Sequence, residues 1–100
     1  MTDPAHAMVY ETGPFFVETD AMFVPQPVSG GPWDPGLLHG GPVVGLLAYL
    51  VESVSSPTPV RICRHTVDMM RGVPMSPLRP EVDVLRAGRR IQVVRASLFD

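Results

Sequence analysis

Three groups of residues in this chain have the types and spacing to do chemistry. The first is His39-Gly40-Gly41-Pro42, at the head of an apolar run. Proline cannot donate a backbone hydrogen bond, but its φ is pre-set for the first turn of a helix, so this tetrapeptide marks a helix start. The N–H groups left unpaired at such a start carry partial positive charge, and glycines let a carbonyl oxygen approach them closely. Gly40 and Gly41 can therefore polarise a carbonyl; their alternative role is only to permit a tight turn from loop into helix. His39 offers an imidazole as hydrogen-bond partner or base, or serves as a structural residue. The second group is Cys63 and His65, two apart on one strand face. That spacing sets the side chains ~7 Å apart, too far for a direct thiol–imidazole hydrogen bond. The third is a scatter of carboxylates, Asp34, Glu52 and Asp68, which read as loop, helix-end and strand-edge charges before they read as bases. Nothing near Cys63 has metal-ligand spacing, so no metal site is expected.

The element that positions the first group is Leu37–Val54, LLHGGPVVGLLAYLVESV. From Val43 to Val51 it has no polar face, and a helix apolar all round is normally buried. Ser55, Ser56 and Pro57 stop it, giving an expected helix of ~15 residues and ~22 Å. That is short of the ~20 apolar residues needed to span a bilayer. Before it, residues 1–12 are expected to be loose, Gly13–Asp20 reads as a first strand with Ala21–Val24 extending it, and Pro25–Gly36 is too rich in proline and glycine for regular structure. Trp33 sits in that loop, where an aromatic anchors the chain or floors a pocket. After the helix, Pro59–Met70 alternates like a strand, although neither face is purely apolar. Arg71–Pro80 is an irregular link. Glu81–Arg86 and Arg90–Asp100 read as a hairpin joined across Ala87-Gly88-Arg89.

Composition narrows the function classes. The 100 residues make one small domain, 45% apolar, with a mean hydropathy of +0.16; so short a chain buries proportionally less of its surface than a larger domain does, and part of it is expected to be covered by another copy or domain. The net charge of −2 gives no case for nucleic acid or an anionic membrane as partner. One cysteine, Cys63, and a start without a basic, apolar leader point to the cytoplasm. The element order is satisfied by an α+β architecture, an antiparallel sheet wrapped around one long central apolar helix.

Trp33, the His39-Gly40-Gly41 mouth, the apolar GLLAYL, the strand PVRICRHTVDMMRGVPMSPL and the hairpin VDVLRAGRRIQVVRASLFD follow one another over residues 14–100 as they do in the hotdog-fold acyl-CoA thioesterases, and the chain resembles the N-terminal hotdog of the double-hotdog type. The resemblance implies an acyl-CoA thioester as substrate, no cofactor beyond the coenzyme A of that substrate, and an oxyanion role for Gly40 and Gly41 with His39 beside them. It makes Trp33, Asp34, Arg89 and Arg90 candidates for substrate binding, the arginines, with Arg86, because guanidinium pairs phosphate bidentately.

Two departures qualify that reading. Single-hotdog relatives with this mouth carry a carboxylate about two turns into the helix, where Gly45–Val51 has none and Ala48 stands instead. A hotdog of this family also continues past the position of Asp100 with a further strand, so the sheet ends on unpaired backbone that another chain could satisfy. The expectation is thus a thioester hydrolase working in a homo-oligomer or against a second hotdog; the alternative is a non-catalytic half that binds acyl ligands or mediates dimerisation.

Overall fold

Two β-hairpins and one helix form the regular structure of residues 13–100, the part that this computed structural model describes. The loose start expected for residues 1–12 lies outside the described residues. The first hairpin pairs β1 (Phe16–Thr19) with β2 (Met22–Pro25) antiparallel, Thr19 facing Met22. Its turn is Asp20-Ala21, both left-handed at φ 53° and 62°. That is the turn hand that matches strand twist, usually built from Asn-Gly. Where the sequence suggests one strand running on to Val24, the chain reverses instead. A 3-10 turn, Pro27–Ser29, follows.

The second hairpin is β3 (Arg79–Ala87) with β4 (Gln92–Phe99), antiparallel and slipped by one residue at Leu85. It is longer than the expected Glu81–Arg86 strand and turns over Gly88–Ile91. A Cβ on Gly88 would lie 2.3 Å from the Ile91 carbonyl oxygen, so no other residue fits there without moving the turn. The two sheets meet at one bridge, where Phe23 and Leu78 exchange backbone hydrogen bonds of 2.8 Å in both directions.

Helix α1 runs Gly40–Glu52, 13 residues, about 20 Å at 1.5 Å per residue. It ends before the expected Val54, because the Ser53 hydroxyl donates at 2.6 Å to the Leu50 carbonyl, the acceptor Val54 would need, and the Val54 N–H turns to the Val51 carbonyl at 3.3 Å. The core lies on one side of it. Leu46 and Leu50 pack with Phe23, flanked by Ala96 and Leu98, while Val43 packs with Leu38 and Leu78. Gly41, Gly45, Tyr49 and Glu52 are exposed, Tyr49 at 59%. The expectation of a long helix wrapped on every side is therefore corrected. Apolar composition shows that cover would be favourable, but the described sheets cover a single face.

A second correction concerns Pro59–Met70, which is not a strand. Among the described residues, no backbone group from 59 to 72 makes a backbone hydrogen bond. Alternation describes what a strand would present and does not supply the neighbour that makes it one. With charges on both faces, this run has no apolar side to press on α1. A cleft of about 1880 Å³ separates it from β4, with Val43, Leu47 and Val51 along its helical wall. The β4 edge facing away from β3 makes no backbone hydrogen bond among the described residues.

Candidate active site at the helix mouth

The start of α1 is fixed by the loop before it. The fully buried Ser29 ties two elements together: its hydroxyl donates to the Phe15 carbonyl, and its own carbonyl accepts the His39 N–H at 2.8 Å. Leu38 N–H donates to the Val73 carbonyl at 2.8 Å, and Met75 N–H to Gly36 at 2.9 Å, so the approach to the helix is also stitched to the link after Gly72. His39 then caps the helix in extended conformation, ψ 144°, without a side-chain capping bond.

These ties leave a defined set of donors. A helix start has four N–H groups without partners inside the helix. Here the His39 N–H is taken by Ser29 and Pro42 has none, which leaves Gly40 and Gly41. Neither has a hydrogen-bond partner among the described residues. Both remain reachable, Gly41 exposed and Gly40 half-buried. The His39 ring lies beside them, its Cδ2 3.6 Å and Nε2 3.9 Å from where a Cβ on Gly41 would stand, and the Met69 methyl is 3.7 Å from the equivalent point on Gly40. Two adjacent amides at the positive end of a helix, next to an imidazole, are equipped to stabilise charge building on one oxygen.

The other residues singled out from sequence do not gather at this mouth. Trp33 is 95% exposed and neither anchors the loop nor floors a pocket. Asp34 is a turn residue, its carboxylate accepting the Gly36 N–H at 2.8 Å. Arg86, Arg89 and Arg90 are exposed around the far hairpin turn; Arg90 lines the cleft, which His39, Gly40 and Gly41 do not. Cys63 directs its thiol to the Arg61 carbonyl at 3.6 Å and not to His65. Glu52 is exposed at the helix end, about 18 Å along the axis from Gly40. The described residues contain no group able to hold a metal ion. The residue sequence reasoning misses is Ser29, whose only signal is its place between a proline turn and Gly30-Gly31.

The sequence model of one family, described as acyl-CoA thioesterase N-terminal domain, matches residues 29–100. The chain belongs to that family. The match begins at Ser29, the residue that seats the helix mouth, and takes in α1, the 59–72 run and the second hairpin of this thioesterase domain. No curated protein and no solved structure matched the chain.

Proposed function

We propose that this acyl-CoA thioesterase-family domain acts on acyl-CoA thioesters, with the Gly40 and Gly41 amides receiving the thioester carbonyl oxygen. Water adds to the acyl carbon, the oxygen gathers negative charge against the two N–H groups, and the C–S bond then breaks to release the acid and the coenzyme A thiol. Coenzyme A enters only as part of the substrate. The observation that carries the reading is the pair of unpartnered, reachable amides at the mouth of α1 in a chain of this family.

No carboxylate stands near this end of the helix to activate water. From Gly45 to Val51 there is no carboxylate, and Glu52 lies near the other end of the helix. We take the base to come from a second copy or domain, with His39 as the one local alternative. The same gap favours a second reading, a half-site that binds the acyl thioester without cleaving it. Release of free coenzyme A from short, medium and long acyl-CoA esters tests the two. Turnover that Gly40→Pro lowers and Gly40→Ala keeps supports hydrolysis at these amides. A folded chain releasing no coenzyme A overturns the hydrolytic reading and leaves the binding one. The described residues hold no helix long and apolar enough to cross a membrane.

A further inference from the structure

The cleft between β4 and the 59–72 run has backbone edges for its two long sides. The outer edge of β4 and the whole of the run make no backbone hydrogen bond among the described residues, so both sides present open N–H and C=O groups. The two are tied together at each end. The Gln92 side-chain amide donates at 2.7 Å to the hydroxyl of Ser56, just before the run, and Arg71 pairs with Asp100 at 2.6 Å. The edges therefore lie along each other, with Val43, Leu47 and Val51 of α1 as an apolar third side.

The ends of the cleft differ. Toward the start of α1 stands Met69, which lines the cleft and whose methyl borders Gly40. Toward the end of α1 stand Arg90, two residues before Gln92, and Arg61, early in the run. Both line the cleft, are exposed and are in no ion pair among the described residues. Arg86 and Arg89 do not line it. Of the acids along the cleft, Asp68 and Asp100 lie toward Met69, and Glu52 alone lies toward the two arginines. Open edges that take amide partners, an apolar side and a cationic end describe one kind of ligand, a chain carrying amides with an anionic group at its end. The arm of coenzyme A is such a chain. It holds two amides between its sulfur and its phosphates, and it is as long as about four extended residues, about 15 Å. Val43 to Val51 takes up about 12 Å of the helix axis, so an arm whose sulfur lies by Met69 brings its phosphates to Arg61 and Arg90, where guanidinium pairs phosphate bidentately. An acyl chain in the same place would shut water out of both edges and give them no partner.

We propose that the cleft holds the arm of coenzyme A, its amides on the two open edges and its phosphates on Arg61 and Arg90. The placement rests on the acyl-CoA reading and says which part of the substrate lies in the cleft. Met69 then marks the point where the arm ends and the thioester meets the helix mouth.

The test uses the full chain and desulfo-coenzyme A, which keeps the arm and the phosphates but lacks the sulfur. Calorimetry should show binding, and the double variant Arg61→Gln with Arg90→Gln should raise the dissociation constant about tenfold or more. Arg79→Gln, an exposed arginine of β3 that does not line the cleft, should leave it within about twofold. Both variants change exposed side chains and leave the core untouched. Amide hydrogen exchange across residues 60–69, where no backbone hydrogen bond stands in the way, should slow when desulfo-coenzyme A is added. Absence of binding at about 1 mM overturns the proposal. So does a dissociation constant that the double arginine variant leaves unchanged, or binding that does not slow exchange at 60–69. The hydrolytic reading fails separately. A chain that binds with slowed exchange and releases no coenzyme A from acyl-CoA keeps this placement and loses hydrolysis, while one that releases coenzyme A without slowed exchange keeps hydrolysis and loses the placement.

Discussion

Replacing Gly40 by proline removes one amide hydrogen and little else. Gly40 is the first residue of α1, the helix position that best tolerates proline, since its N–H has no partner inside the helix. A proline also restricts the residue before it to extended conformation, and His39 is already there at ψ 144°. The added ring starts from a Cβ position 3.7 Å from the Met69 methyl, an ordinary contact. The fold should therefore lose well under 1 kcal/mol. Deleting one of two oxyanion donors elsewhere lowers kcat by roughly 10²–10³, about 2.7–4 kcal/mol of transition-state stabilisation. The expected result is a fall of that size in coenzyme A release by Gly40→Pro, with circular dichroism and Tm near wild type. Gly40→Ala presents the same Cβ and keeps the N–H, so it should stay within a few-fold of wild type. Equal losses in the two variants would refute the reasoning, because they would trace the effect to the methyl and not to the hydrogen. An unchanged kcat in Gly40→Pro would remove Gly40 from the list of donors.

Three further predictions concern stability. Ala21→Gly relieves an alanine held at φ 62°; the left-handed conformation costs a non-glycine residue about 1–2 kcal/mol, part of which returns as unfolded-chain entropy, so a net gain of about 0.5 kcal/mol in a urea melt is expected. Gly45→Ala puts a methyl where nothing lies within 4 Å, in the middle of a helix, and should add about 0.5–1 kcal/mol, read as a Tm several degrees higher. Leu78→Ala empties the most buried apolar position, 1% exposed, at the bridge between the two sheets, and should cost about 2–5 kcal/mol; a loss below 1 kcal/mol would mean that the junction collapses around the gap.

Sequence gives the parts whose cause is local. The helix start is written in Gly40-Gly41-Pro42, and the second hairpin in Gly88, because a fixed φ and a missing side chain act within a few residues. The first hairpin is hidden, since Asp20-Ala21 lacks the glycine or asparagine that normally announces such a turn. Pro59–Met70 misleads for a different reason: its alternation belongs to the run itself, while strand formation depends on a neighbour that the described residues do not provide. The apolar girth of α1 shows a preference for burial without showing that the sheets reach round it. At the candidate site the mouth is legible and its seat is not, because Ser29 acts through Phe15 and His39, neither of which is marked as its partner by composition or spacing.

Pro42 has an effect on what the helix mouth can bind. A helix start normally offers several N–H groups over about one turn, enough to wrap the three oxygens of a phosphate. Here Ser29 occupies one donor and Pro42 omits another, so two adjacent hydrogens remain. Two hydrogens match the two lone pairs of a single oxygen. Under the function proposed above the mouth holds one carbonyl oxygen, and a phosphate resting there would leave most of its acceptors to water. Under that proposal, proline at this position turns a general anion site into one that selects by oxygen count.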